Sequence, residues 1–262
     1  MSVATPDLGG RTAVVTGASW GLGVVFAETL AAAGADVVVA ARRVGRLVAQ
    51  AVERFGRLDV MVNNAGTAGD AGPMAERLPH ELLEWTIRVN LLGTWYGRRD
   101  AGAAMLRQGS GSIVNVASTA GVGAVQHFPP AYRASKAAVI HLMRNLALSW
   151  AGRGVRVNTL APGWFPSEMA SPFIEAPVYG DHILRHEPMG RVGDPAELVG
   201  PLLFLASDAS SRVTGHTLVV DGGHSIAMMG AVYGEDLYDF HAAIVPDGLG
   251  ERIMPQPAGT AA

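Results

Sequence analysis

The chain has 262 residues, a net charge of −3, 49% hydrophobic residues and no cysteine. This length suits one α/β domain, the slight acidic balance argues against a nucleic-acid surface, and disulfides, thiolate metal sites and cysteine nucleophiles are excluded. No apolar run approaches the roughly 20 residues of a membrane span, and residues 1–7 lack the basic flank and apolar stretch of a signal peptide. We therefore expect a soluble cytoplasmic protein.

Short β-branched runs alternate with longer segments rich in Ala and Leu, which predicts a parallel sheet with helices on both faces. The predicted strands cover residues 12–16, 36–40, 60–63, 111–116, 156–160 and 217–220. The predicted helices cover about residues 21–33, 44–55, 80–106, 131–151 and 195–206. The fold class is therefore α/β, a single-domain doubly wound, Rossmann-like sheet.

We expect one domain over residues 1–226 and a C-terminal extension over residues 227–262. The extension contains several aromatic and aliphatic residues, more than a purely solvating tail needs. Packing on the domain or on a neighbouring subunit is one interpretation, and a loose extension is the other.

A glycine-rich loop follows the first predicted strand and leads directly into a helix. Glycines allow a tight turn and close backbone approach, and the helix N-terminus offers free N–H groups to a pyrophosphate. An ordinary strand-to-helix turn is the alternative, but the position at the first βα junction favours a dinucleotide site. The candidate cofactor-binding residues in this loop are Gly17, Ser19, Trp20, Gly21, Leu22 and Gly23.

The end of the second predicted strand indicates which dinucleotide binds. An acidic residue there would accept hydrogen bonds from the ribose 2′-hydroxyl, whereas an arginine would pair with a 2′-phosphate. This chain has Arg42 and Arg43 at that place and no acidic residue nearby. Two arginines are also compatible with a solvated turn, but we predict NADP, with Arg42 at its phosphate, rather than NAD.

Tyr132 and Lys136 are four residues apart in a predicted helix, so both lie on one face about one turn apart. An ammonium beside a phenol favours the phenolate and can lower the tyrosine pKa from about 10 towards neutrality. Tyr132 is therefore a candidate general acid/base. Such pairs also occur by chance on solvated helices, so the rest of the chain decides.

The ordered set of these motifs resembles the short-chain dehydrogenase/reductase family, over about residues 8 to 223. It consists of the loop at 16–23, Asn-Asn-Ala-Gly at 63–66, Asn90, Ser118, the Tyr132/Lys136 pair, Pro-Gly at 162–163 and Val-Asp-Gly-Gly at 220–223. A weaker similarity of residues 165–169 is to gluconate 5-dehydrogenases and 3-oxoacyl reductases.

The resemblance implies an enzyme that acts on CH–OH groups by hydride transfer with a nicotinamide cofactor. It gives Ser118 the role of polarising the substrate carbonyl, Tyr132 that of general acid/base, Lys136 that of lowering the tyrosine pKa and holding the nicotinamide ribose, and Asn90 that of holding a relay water. It further implies cofactor contacts at Tyr132, Lys136, Asn64, Ala65, Gly66, Pro162, Gly163, Phe165 and Ser167. It also implies a substrate loop over 164–193 and a homo-oligomer, a dimer or tetramer formed through the long helices.

One segment departs from the family pattern. Only about sixteen residues, 43–58, stand where relatives have a helix, a strand and another helix, so one edge strand and its helix are missing. The adenine pocket would lose a wall, which leaves three possibilities: an enzyme with weakened cofactor binding, a silent dinucleotide-binding module, or a structural subunit. No His pair at helical metal-ligand spacing is present, so we predict no metal.

Overall fold

The computed structural model describes residues 6–40, 44–71, 75–123 and 129–227. The strands are β1 (Thr12–Thr16), β2 (Asp36–Ala40), β3 (Val60–Asn63), β4 (Gly111–Val116), β5 (Val155–Pro162) and β6 (Thr217–Val220). The helices are α1 (Leu22–Ala32), α2 (Val44–Phe55), α3 (His80–Ile87), α4 (Gly93–Gln108), α5 (Pro130–Trp150), α6 (Ser171–Ile174), α7 (Pro177–Arg185) and α8 (Val199–Ala206). The predicted α/β architecture is confirmed.

All six strands are parallel and lie in the order β2-β1-β3-β4-β5-β6. The chain moves outward from β1 to β2 and then returns to the other side of β1 to form β3. This reversal creates a topological switch point at the carboxyl ends of β1 and β3, the place where open α/β sheets bind ligands. Within the described ranges no strand pairs with the outer side of β2, as the short segment 43–58 predicts.

Two apolar layers hold the helices against the sheet, because neighbouring strand residues point to opposite faces. Val15 of β1 packs in the layer that contains Phe26 of α1 and Leu202 of α8. Val14, the preceding residue, packs in the layer formed with α2, α4 and α5, which includes Met105. Burial of both faces explains why the strands are almost continuously apolar.

The long helix predicted over residues 80–106 is interrupted in the structure. Helix α3 ends at Ile87, a π-helical turn covers Arg88–Leu92, and α4 continues from Gly93. The sequence analysis predicted one continuous helix here and did not detect this turn. Such turns occur often at functional sites, and this one is centred on Asn90.

The other boundaries differ from the predictions by small amounts. Strand β5 is longer at both ends than the predicted 156–160, and the last predicted helix begins with a 3-10 turn at Pro195–Leu198 before α8. No helix in the described ranges has the length and apolar character needed to cross a membrane. Of the predicted extension, residues 228–262 lie outside the described residues.

Candidate active site

Helix α5 presents Tyr132 and Lys136 side by side, as the sequence predicts. The ammonium nitrogen of Lys136 lies 5.5 Å from the centroid of the Tyr132 ring. The same nitrogen donates a hydrogen bond of 2.9 Å to the carbonyl oxygen of Val116 at the end of β4. Since the Lys136 side chain is buried, this bond fixes the ammonium group at the carboxyl end of the sheet.

The electrostatics of the pair differ from the sequence-based expectation. Burial raises the pKa of Tyr132, the hydrogen bond with Ser118 opposes that rise, and the charge of Asp70 adds to it. Burial also lowers the pKa of Lys136 to about 8. The net shift of the tyrosine pKa is therefore upward, because the loss of hydration disfavours the phenolate. A protonated Tyr132 at neutral pH suits a proton donor.

Ser118 meets Tyr132 at the end of β4. Its hydroxyl hydrogen-bonds the phenol group of Tyr132 and accepts a bond of 3.1 Å from the backbone N–H of Ala120, which starts a 3-10 turn at Thr119–Gly121. This turn packs directly on α5, since a methyl group at Gly121 would lie 2.6 Å from the carbonyl carbon of Lys136. The glycine allows the contact that brings the serine to the tyrosine.

Asn90 is buried in the π-helical turn, and its side chain hydrogen-bonds both the loop after β3 and helix α5. Its side-chain oxygen accepts a bond of 2.8 Å from the N–H of Thr67, and its amide donates bonds of 2.9 Å to the Thr67 carbonyl and 3.0 Å to the Ser135 hydroxyl. The Ser135 hydroxyl in turn donates to the carbonyl oxygen of Tyr132 at 2.6 Å. Asn90 thus connects the loop after β3 to the first turns of α5.

The glycine-rich loop after β1 packs against the loop after β3. The Asn64 side-chain amide donates to the carbonyl oxygens of Thr16 and Gly17 at 3.1 and 3.0 Å. A methyl group at Gly17 would lie 2.7 Å from the Cα of Ala65, and one at Gly23 would lie 2.0 Å from the Gly17 carbonyl oxygen. Both positions therefore require glycine, for reasons of space.

The N-terminus of α1 has the features of a pyrophosphate site. Gly21 is the N-cap residue, with φ 58°, and no side chain caps the helix there. Ser19 and Trp20 form the preceding turn, with Trp20 65% exposed, and Leu22 begins the helix. Free N–H groups, a positive dipole end and glycines at the close contacts fit the phosphates of a dinucleotide.

The segment after β5 lies beside the glycine-rich loop at the carboxyl end of the sheet. Gly163 donates a backbone bond of 2.9 Å to Val220, and Ser167 approaches the glycine-rich loop, with its Cβ 3.6 Å from the position of a methyl group on Gly21. Pro162 ends β5 and is buried. The Phe165 side chain packs in the apolar core.

An aromatic group lies on the predicted substrate loop. Trp164 contacts Phe173 and Tyr179, with ring centroids 6.3 and 6.2 Å apart, and Tyr179 contacts His182 at 6.3 Å. His182 stacks near His186 at 4.4 Å. Helices α6 and α7 hold these rings together, and the sequence alone did not predict either helix. The loop therefore presents apolar ring faces and imidazole hydrogen-bonding groups.

The structure brings together the predicted residues of β1, β3, β4, α5 and the segment after β5. Arg42 lies outside the described residues, so the structure does not bear on its predicted contact with a 2′-phosphate. Across the described part of the chain, no three His, Asp or Glu side chains form a possible metal site.

Two residues that the sequence analysis did not single out also belong to the site. Thr67 is held by Asn90, and Asp70 contacts the first residues of α5. Their position a few residues beyond a strand's carboxyl end was the available signal. A loop aspartate is ordinarily exposed, however, so the burial of Asp70 could not be inferred from sequence.

Comparisons with known proteins agree on one group of enzymes. A family model described as enoyl-(acyl carrier protein) reductase matches residues 40–225. Galactitol 2-dehydrogenase (L-tagatose-forming) of Cereibacter sphaeroides is 36% identical over 249 positions, which cover 84% of this chain and 96% of the relative. The 249 aligned positions include gaps in this chain, because 84% of its 262 residues is fewer than 249. The relative is therefore longer in places, as the shortened segment 43–58 leads one to expect.

Two solved structures give the same result for the fold. A short-chain type dehydrogenase/reductase from Mycobacterium marinum has a TM-score of 0.78 and 32% identity, and the match covers 83% of this chain and 96% of that one. A gluconate 5-dehydrogenase from Burkholderia cenocepacia J2315, in complex with NADP and tartrate, has a TM-score of 0.78 and 30% identity, with 84% and 97% covered.

Proposed function

This chain belongs to the short-chain dehydrogenase/reductase family, and on that basis we propose that it interconverts a secondary alcohol and a ketone with NADP(H). The observation that carries this proposal is the meeting of Ser118, Tyr132 and Lys136 at the sheet edge that also holds the glycine-rich loop. The gluconate 5-dehydrogenase that contains NADP supports the choice of cofactor.

Four side chains have separate roles in the proposed transfer of a proton to the substrate oxygen. A nicotinamide cofactor held at this site would supply the hydride in reduction and accept it in oxidation. Ser118 donates a hydrogen bond to the carbonyl oxygen of the substrate, and Tyr132 delivers its phenol proton to that oxygen during reduction. Lys136 holds the ribose side of the site, and Asn90 fixes the loop and helix around it. The raised pKa of Tyr132 keeps the proton on the phenol at neutral pH, the form that donates a proton during reduction.

The substrate that we propose is a small polyhydroxylated compound, a polyol or sugar acid in its alcohol form and the corresponding ketone. Galactitol 2-dehydrogenase and gluconate 5-dehydrogenase both carry such substrates in their names. The ring faces of Trp164 and Tyr179 suit the C–H faces of such molecules, and His182 and His186 suit their hydroxyl groups.

The alternative of a silent dinucleotide-binding module or structural subunit rests on the missing strand beside β2. Among the described residues, however, Asn90, Ser118, Tyr132 and Lys136 are all present and connected by contacts. The phosphate loop also has the close packing that a dinucleotide site requires. These contacts favour an active enzyme. We expect the missing strand to lower the affinity for the cofactor and to leave the catalytic residues in place.

The test of the function is NADPH oxidation against a panel of ketoses, keto-sugar acids and simple aliphatic ketones. We expect turnover with the polyhydroxylated members at micromolar to millimolar KM, and weaker turnover with NADH. Binding of NADPH, followed by its fluorescence, is measured in the same samples. Failure to bind NADPH at millimolar concentration would refute the enzyme assignment, and activity confined to simple ketones would refute the substrate class.

We further propose a cytoplasmic homo-oligomer, formed through the long helices. Leu92, Trp95 and Tyr96 are 40%, 37% and 48% exposed and recur at the spacing of one helix face. On α5, Leu148 is 86% exposed. Large apolar side chains at regular spacing on a surface helix mark an interaction face, and a second copy of this chain is the partner expected from the family.

Replacing Trp95 by Glu should disrupt this assembly, because a carboxylate would be buried against an apolar partner surface. Light scattering after gel filtration measures the mass, with Val178→Glu as a matched control at an 87% exposed position on α7. The wild type and the control should have the mass of a dimer or tetramer, and Trp95→Glu a lower one. A monomeric wild type would contradict the proposal.

A further inference from the structure

Asp70 is a fully buried carboxylate that binds the start of the helix carrying Tyr132. One of its oxygens, Oδ2, accepts hydrogen bonds of 2.7 Å from the N–H of Ala131 and 3.2 Å from the N–H of Tyr132. No side chain of α5 itself caps this helix, whose N-cap residue is Pro129. Asp70, sixty residues earlier in the chain, therefore supplies the acceptor that the first turn needs.

We propose that Asp70 is a positioning residue for catalysis, which holds Tyr132 in place through the backbone of α5 and keeps its phenol protonated through the charge of the carboxylate. The proposal rests on the proposed function, because it concerns the acid that serves the reaction. It assigns to Asp70 an effect on proton transfer without contact with the substrate.

The first part of the proposal follows from the path of the chain between residues 64 and 70. The Asn64 side chain hydrogen-bonds the glycine-rich loop, and the backbone of Thr67 hydrogen-bonds the Asn90 side chain. Gly66 passes beside the catalytic lysine, since a methyl group there would lie 3.3 Å from the Lys136 ammonium nitrogen. Asp70 then binds α5. One short segment thus links the predicted phosphate site to the tyrosine, and Asp70 is its attachment at the catalytic end.

The segment from residue 64 to residue 70 also packs against helix α3 and forms a hydrogen-bonded turn. A methyl group at Gly69 would lie 2.0 Å from the Trp85 ring of α3, so the chain passes in close contact with that indole. The N–H of Ala71 donates to the carbonyl of Ala68 at 2.9 Å and closes a turn around Asp70. The carboxylate is therefore presented by a fixed loop.

The second part of the proposal follows from burial and charge. Asp70 has no exposed surface, and its second oxygen, Oδ1, finds no hydrogen-bond partner among the described residues. The carboxylate is held at the backbone N–H of Tyr132, and its negative charge disfavours a second negative charge on the phenol of the same residue. Among the described residues, Lys136 from α5 and Ser118 from the loop after β4 also face Tyr132. Arg133, the next residue, donates a hydrogen bond to the carbonyl of Gly123.

The two effects are separable by substitution. Asp70→Asn keeps an oxygen that can accept the two backbone bonds and removes the charge. Asp70→Ala removes both. A purely structural cap would leave the titration of Tyr132 unchanged in Asp70→Asn, whereas the proposal requires that titration to move.

Asp59→Asn is the matched control. Asp59 is also a buried aspartate that accepts a backbone bond, of 2.9 Å from Thr12 N, but it lies at the amino end of β3 and pairs with Arg57. The same change in chemistry is thus made at the opposite end of the sheet. This variant should leave the Tyr132 titration at its wild-type position.

The experiment has a readout that does not depend on turnover. Near-ultraviolet absorbance follows tyrosine ionisation with pH in the full-length wild type and in both Asn variants, each paired with the same protein carrying Tyr132→Phe. The difference within each pair isolates Tyr132 from the other four tyrosines. We expect the midpoint to move to lower pH in Asp70→Asn and to stay in place in Asp59→Asn.

Kinetics supply the second readout. In Asp70→Asn, the rising limb of alcohol oxidation against pH should move to lower pH together with the midpoint, because oxidation requires the phenolate. In Asp70→Ala, kcat should fall by about tenfold to a hundredfold through misplacement of the tyrosine, with NADPH affinity changed less. An unchanged midpoint in Asp70→Asn, or an unchanged kcat in Asp70→Ala, overturns the proposal. A wild type without turnover refutes the proposed function instead, and the titration still decides the role of Asp70.

Discussion

Replacement of Tyr132 by Phe is expected to lower kcat for ketone reduction by about a hundredfold to ten-thousandfold, the range for loss of a general acid. The ring and its contact with the Lys136 ammonium are retained, but the proton and the hydrogen bond with Ser118 are lost. NADPH affinity, measured by fluorescence, should change little, because the phosphate loop is untouched. Steady-state kinetics at saturating NADPH give the measurement.

The control for this substitution is Tyr96→Phe, which removes the same hydroxyl group from a 48% exposed position on α4. It should retain wild-type kcat. If Tyr132→Phe keeps full activity, proton transfer does not pass through this phenol, and the roles proposed for Ser118 and Asp70 fail with it.

Replacement of Gly23 by Ala is expected to weaken NADPH binding by about tenfold to a hundredfold and to lower the free energy of unfolding by ~1–3 kcal/mol. The new methyl group would lie 2.0 Å from the Gly17 carbonyl oxygen and 2.6 Å from the Asn64 amide nitrogen. The carbonyl is backbone and cannot swing aside, so the glycine-rich loop itself must shift. Fluorescence titration with NADPH and thermal unfolding measure the two effects.

Gly152→Ala is the matched control, because a methyl group there has nothing within 4 Å. Its unfolding free energy should stay within ~0.5 kcal/mol of the wild type, with NADPH binding unchanged. If Gly23→Ala binds NADPH as well as this control does, the loop after β1 is not the phosphate site.

Much of the fold could be predicted because its signals are local. Five of the six predicted strands have the observed bounds, and α2 spans the predicted residues 44–55. Buried parallel strands are apolar on both faces, and glycine-rich turns separate them from helices of regular period. Among the described residues, β2 lies at the edge of the sheet, in agreement with the edge strand that the shortened segment 43–58 predicts to be missing.

The candidate site was predicted less completely. Tyr132 and Lys136 were recognised from their spacing and from the ordered motifs around them, and the structure places them together. The spacing suggested a lowered tyrosine pKa, whereas the structure gives a raised one. Spacing specifies which groups are neighbours, but a pKa depends on how much water remains around them, and burial is a property of the folded molecule.

The sequence by itself predicted the six strands, the parallel sheet, the glycine-rich loop and the Tyr132/Lys136 pair, because each depends on residues close together in the chain. Only the tertiary structure decided that Asn90 sits in a π-helical turn and that Asp70 binds the N-terminus of α5. Those contacts join segments 45 to 61 residues apart. Their geometry arises when the sheet brings its carboxyl ends to one edge, so no local pattern in the chain could specify it.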